Sequence, residues 1–377
     1  MNKPFAAARF LGLLSLVSSG LVAQELDRPR PSHPAPVFPV DASIVWIDVV
    51  AVDSKDRPFA NLNREDFEVV EGGERRPILL FRAPNLDEET PGRHEQAESR
   101  DGLGPANRAL VVLVEDILAR APHIQRARDA VRRMLSRAVA GDRILLMAPA
   151  SGVSASAVVP DDAPALQAQL DRIRAHPELT SSLTEPGEIR RLHWARVDAV
   201  VAALLALQGH AGPRALIVIG PSLPYRVDGP FGRAAYERVM RASERAASPV
   251  YFLKCGEDTM FWPNPSQDWA RGTGAVAVAP VVPMAPAGSS RTSADVFEAV
   301  SADSGGFTTP KPAAWPWAID RIMRRSRAYY LLGIPSAPET WDGRYHRVEV
   351  RVTRKGVRLH ARKGYFAPAT AAAPDKR

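Results

Sequence analysis

From residue 109 onward the chain alternates short, uncharged apolar runs with longer amphipathic stretches. The runs at 109–114, 144–147, 215–219 and 250–253 have no polar face, so a strand made from any of them must be covered on both sides. The covering material lies between them. Residues 122–135 carry Ile124, Ala127, Val131, Met134 and Leu135 on one helical face. Residues 164–175 do the same with Leu166, Leu170 and Ile173. Further helices are expected at 192–208, 232–247, 295–304 and 318–328, and a further strand at 154–159. Strands alternating with helices give an α/β fold with a doubly wound, mostly parallel sheet over residues 108–328. Such sheets bind ligands beyond the carboxyl ends of their strands, where the strand order reverses.

Both ends of the chain have a different texture. Residues 44–52 are β-branched and apolar, 53–58 have turn chemistry, and 67–71 and 78–81 predict two more strands around Gly72 and Gly73. At the other end, 329–334 predicts a strand. Residues 346–352 and 357–362 alternate strictly about a turn at 354–356, which predicts a hairpin. Three strands at each end are too few for two separate cores. The expectation is one β-sandwich built from 42–82 and 329–366, with the α/β domain inserted between them. A Pro-rich tether (24–41), a charged linker (83–107), a mobile low-complexity insertion (263–292) and a tail (367–377) complete the chain.

The first residues have the three-part layout of a secretory signal peptide. Lys3 and Arg9 are basic, residues 10–22 are apolar or small, and Ala23 precedes the expected cut. An apolar run of about 13 residues is short for a bilayer, which needs about 20. Export predicts a periplasmic or secreted protein with no membrane span after cleavage. The net charge of +7 falls to +5 once Lys3 and Arg9 are removed. Of 49 basic residues only seven are Lys. The excess of Arg, Ala and Pro follows genome base composition. The clusters Arg132-Arg133 and Arg324-Arg325-Arg327 fall at solvent-facing helical spacing without stacking aromatics, so no nucleic-acid partner is expected. Cys255 is the only cysteine and ends an apolar run. It predicts a partly buried thiol and a fold held by packing.

Four segments together resemble the VWFA-related domain family of bacterial secreted proteins over about residues 42–366. They are Ile47 to Pro58 followed by Leu62 to Gly72, the strand 109–114 with its acidic end, residues 302–307, and Tyr330 to Gly333 with the segments out to Tyr365. Asp56 stands where the family pattern has Gly. The resemblance implies a von Willebrand factor type A-like domain. It also implies a divalent-cation site made by Asp-x-Ser-x-Ser at the end of the first strand, with a Thr and an Asp from later loops.

Most of that ligand set is missing here. The strand ends in Glu115-Asp116, but the next ligand positions are Ile117 and Ala119 in one register, or Leu118 and Arg120 in the other. Ser222 in Gly220-Pro-Ser222 stands where the family has a Ser and an acid, and Thr180 or Thr184 could supply the loop hydroxyl. A degenerate metal-ion-dependent adhesion site is therefore expected, with no cofactor; Mg²⁺ is the cation to test. The alternative role for Glu115 or Asp116 is to cap a neighbouring backbone or pair with an Arg. No zinc helix, nucleophile elbow or phosphate loop occurs, and the eight His fall at no metal-ligand spacing. His193 is placed at the start of a long helix as an exposed or capping residue. Trp315, Trp317, Phe261 and Trp262 beside prolines predict either packing or an exposed ligand-contacting patch.

The expected function is an exported, non-enzymatic protein-interaction module. Its binding face is formed around Glu115, Asp116, Thr184 and Ser222, toward a protein partner in the cell envelope or outside. A cation-dependent adhesion-type binder and a hydrolase are the alternatives.

Overall fold

The structure is a computed structural model that describes residues 43–59, 61–83, 108–179, 186–210, 212–223, 225–255, 295–309, 311–327, 329–336 and 342–368. The expected signal peptide, the tether, nearly all of the 83–107 linker and the tail, and the 263–292 insertion lie outside the described residues, as do Phe261 and Trp262.

Six strands form the central sheet. They are β5 (Ala109–Val114), β6 (Arg143–Ala148), β7 (Val153–Val158), β8 (Arg214–Gly220), β9 (Val250–Lys254) and β10 (Thr308–Thr309). Their order across the sheet is β10-β9-β8-β5-β6-β7, and every pairing is parallel except β6 with β7. The helices are α1 (Ala121–Arg137), α2 (Ala163–Arg172), α3 (Pro186–Leu205), α4 (Pro230–Ala246), α5 (Val296–Asp303) and α6 (Trp315–Arg325). The two faces of each strand feed two cores. Leu110, Val112, Val114, Ile217 and Ile219 pack with α1, α2 and α6, whereas Val111, Leu113, Leu216 and Val218 pack with α3, α4 and α5. That is why these strands are apolar without alternation.

The chain ends supply eight antiparallel strands, four each. From the amino end come β1 (Ser43–Val52), β2 (Phe67–Glu71), β3 (Glu74–Arg76) and β4 (Leu80–Arg82). From the carboxyl end come β11 (Tyr329–Ser336), β12 (Tyr345–Val352), β13 (Arg358–Ala361) and β14 (Gly364–Phe366). They form two sheets of order β13-β1-β11-β4 and β14-β12-β2-β3. Ile47, Val49, Phe67, Val69, Tyr330, Leu332, Val348 and Tyr365 come from both sheets and meet in a single core. β1 aligns with β11 from Ser43↔Ser336 to Val50↔Tyr329.

Several expectations are corrected. The hairpin over 346–362 does not form. The chain turns at Gly356, where φ is +79°, and its two arms enter different sheets, β12 beside β2 and β13 beside β1. Both arms keep their alternation because Val348, Val350, Leu359 and Ala361 all face the shared core. Arg325 is not solvent-facing. It is 2% exposed, and its guanidinium donates to Asp56 Oδ1 at 2.6 Å. Asp56 has φ +60°, a conformation that favours Gly, and it holds Arg321 as well. α3 starts at Pro186 rather than 192, because its polar first turn shows no apolar period. His193 is consequently inside the helix and 1% exposed. The last helix likewise starts at Trp315. Trp315 is buried and donates from Nε1 to the Lys254 carbonyl at 3.2 Å, whereas Trp317 is exposed against Arg321. Cys255 is buried and is not disulfide-bonded.

Candidate functional site

β5 lies mid-sheet. The chain leaves it toward β6 on one side and returns as β8 on the other. The connections after β5 and β8 therefore diverge, and the strand order reverses between their carboxyl ends. Glu115, Asp116 and Ser222 all sit there.

The two acids take opposite directions. Glu115 continues the ladder, its N–H donating to the Ile219 carbonyl at 2.9 Å. Its side chain passes close to Gly220, where a Cβ would lie 2.6 Å from Glu115 Cβ. The carboxylate ends beside Arg196 of α3, with Nε 3.1 Å from Oε2. Glu115 is 1% exposed and Arg196 0%. The contact is electrostatic rather than a well-aligned hydrogen bond, since neither Arg196 Nε nor either Glu115 oxygen completes one. Burial pushes the Glu115 pKa above the usual carboxylate range, and Arg196 pulls it back.

Arg196 is the residue that sequence reasoning missed. Its Nη2 donates to the carbonyls of Pro221 at 2.7 Å and Ser222 at 3.2 Å. Its Nη1 donates to His193 Nδ1 at 3.3 Å, and its plane lies over Phe297, 5.7 Å from the ring centroid. Burial, and then the neighbouring guanidinium, hold the His193 pKa down to about 3, so the imidazole is neutral and accepts. Ser222 leads on to Asp295, which caps α5 by accepting from the N–H groups of Phe297 at 2.8 Å and Glu298 at 3.2 Å. Burial, with the Glu298 charge next, pushes the Asp295 pKa up to about 6, offset by the Glu298 N–H and then by Lys254. Ser222 Oγ and Asp295 Oδ2 are buried and complete no hydrogen bond. Thr180 and Thr184 lie outside the described residues.

Asp116 turns toward β6. It is fully buried, Oδ1 accepting from Ala150 N–H at 3.0 Å and Oδ2 from Ser151 N–H at 2.7 Å. Its carboxylate fixes the β6–β7 turn. On the same turn, Ser151 Oγ lies 3.1 Å from His176 Nε2, and His176 Nδ1 lies 2.9 Å from Glu178 Oε1. Hydroxyl, imidazole and carboxylate in that order resemble a nucleophile relay. However, the peptide N–H groups of Ala150 and Ser151 are committed to Asp116, and Ser151 Oγ also accepts from Arg174 N–H at 3.0 Å. The peptide N–H groups of Ala150, Ser151 and Arg174 are thus taken, and the group ties the segment after α2 to the β6–β7 turn.

These residues do not fit a divalent cation. Ile117, Leu118 and Ala119 are buried hydrocarbon where oxygen ligands would be needed. Asp116 is spent on peptide N–H groups, and the Glu115 carboxylate faces a guanidinium. Neither acid reaches the surface. Among the described residues, the exposed charged side chains of the surrounding loops include Arg120, Arg174, Glu178, Arg226 and Asp228.

No protein-family model matches the chain, and the search of curated proteins finds no relative. No helix among the described residues is long and apolar enough to cross a membrane.

Proposed function

We propose that this chain is an exported protein-interaction module of the VWFA-related kind. In this reading a von Willebrand A-like domain is inserted in a β-sandwich and presents the loops beyond β5, β6 and β8 to a protein partner in the cell envelope or outside. The observation that carries the reading is the reversal of strand order between β5 and β8, with the loops there held by buried polar side chains. The six-stranded order with one antiparallel strand is compatible with such a domain. Recognition is protein to protein and needs no cation, because Arg196 and aliphatic side chains stand where ligands would.

The test is cross-linking in the exported fraction. Arg120→Glu with Arg226→Glu alters exposed charges on the proposed face, and Arg143→Glu alters one at the amino end of β6. Wild type and Arg143→Glu are expected to recover the same partner with or without chelator, and the double variant to lose it. Recovery that ignores the face charges, or that chelator abolishes, would sink the proposal.

A further inference from the structure

We infer that the Arg196 guanidinium is the resident cation of the strand-end site, doing for this chain what a bound divalent ion would do and closing the site to one. The expectation of a cation there rests on the A-like reading, whereas the Arg196 contacts stand without it. An ion at a strand-end site has two structural tasks. It neutralises a carboxylate brought out of water, and it gathers oxygen atoms from separate loops. Arg196 performs both. Its Nε lies against Glu115, and its Nη2 gathers the carbonyls of Pro221 and Ser222, at the start of the segment that leads to α4.

The charge comes on a rigid fork from α3. It needs no uptake from solution, and its geometry is set by helix packing. Glu115 Oε1 and Oε2, Ser222 Oγ and Asp295 Oδ2 complete no hydrogen bonds. A planar donor set of fixed length reaches the carbonyls of the loop but not every side-chain oxygen around it. The Glu115 carboxylate and the carbonyls of Pro221 and Ser222 are the oxygens that removal of the guanidinium would leave for a metal.

The experiment measures thermal unfolding and calorimetric binding of Mn²⁺ or Mg²⁺ on the whole purified chain. It needs no partner, so a failed binding face and a failed cation role give different results. Wild type is expected to show no cation-dependent shift. Arg196→Ser is expected to unfold about 5–10 °C lower, because it strands a buried carboxylate, and millimolar Mn²⁺ is expected to restore part of that loss. Glu115→Gln combined with Arg196→Ser is expected to ignore Mn²⁺. Arg196→Lys keeps the charge without the fork; it should unfold lower than wild type and stay cation-blind, which decides the matter even if Arg196→Ser does not fold. The inference is overturned if wild type binds either cation, if Arg196→Ser folds yet does not respond to Mn²⁺, or if Arg196→Lys matches wild type.

Discussion

Asp116 is fully buried and accepts hydrogen bonds from two consecutive, half-buried peptide N–H groups. Asp116→Ala removes both acceptors and leaves two half-buried donors without a protein partner. The expected cost is about 2–4 kcal/mol, with faster amide exchange at Ala150 and Ser151 than elsewhere in the sheet. Unchanged exchange at those two amides would show that the carboxylate does not hold the turn. Asp56 presents a second test, because backbone and side chain make conflicting demands there. Its φ of +60° favours Gly, but its carboxylate neutralises buried Arg325. Losing the charge outweighs relieving the backbone, so Asp56→Gly is expected to unfold at lower temperature than wild type. Asp56→Asn, which tolerates the same φ, is expected to be destabilised as well. A Gly variant more stable than wild type would reverse that ranking. The acidic pair Glu115-Asp116 and the missing ligands are legible in sequence because aliphatic side chains cannot coordinate. Arg196 is not, being one Arg among many on a helix; only the packing of α3 against the ends of β5 and β8 gives it a partner.

The carboxyl end of α4 shows how one element is docked. Glu244 Oε1 accepts the Phe366 N–H of β14 at 2.9 Å, and Arg362 Nη2 donates to the Ser243 carbonyl at 3.0 Å. Burial, opposed by Arg362, pushes the Glu244 pKa up from 4.5 to about 7. A raised acid favours the folded state fully below its unfolded pKa and loses that contribution as pH rises through the folded value. From pH 4.5 to 7 this group therefore removes stability, by about 3 kcal/mol at most. His360 works in the opposite sense. Burial and then Arg325 hold its pKa down to about 4, so stability is lost as pH falls from 6.5 toward 4. Glu244→Gln is expected to flatten the decline between pH 4.5 and 7 in denaturant titrations while leaving the acid-side loss in place; an unaltered slope would show that Glu244 is ionised at no cost. Elements of this kind were legible wherever both faces were apolar, as in β5, β8 and β9. Partnerships were less so. Strict alternation in β12 and β13 reports one buried face each, and says nothing of whether the two strands lie in one sheet or face each other across a core.

At the scale of the whole molecule, the two β-sheets and the α/β part are joined by buried charge as well as by apolar contact. Val50 and Val52 of β1 with Tyr329 and Leu331 of β11 meet Ala247 at the end of α4 in a small cluster of their own. Two guanidinium clamps flank that contact. Arg325 of α6 reaches Asp56 after β1, and Arg362 after β13 reaches both Asp48 of β1, at 3.2 Å, and Ser243 of α4. Arg325 is neutralised by Asp56 across the junction, whereas Arg362 is neutralised by Asp48 inside the β part and crosses to α4 through the Ser243 carbonyl and hydroxyl, so opening the junction strips both buried guanidinium groups of partners. Separation of the parts is then costlier than the small apolar cluster alone would make it, and the described chain is expected to unfold in one calorimetric transition. Cutting both clamps removes the polar contacts that cross the junction while leaving the apolar side chains of each core in place. Asp56→Asn combined with Arg362→Met is therefore expected to split the endotherm in two, the β part melting first because its core is smaller, and each single variant is expected to keep one transition at lower Tm. Two transitions in wild type would show that the parts are not coupled, and one merely shifted transition in the double variant would place the coupling in the apolar contact and not in the clamps.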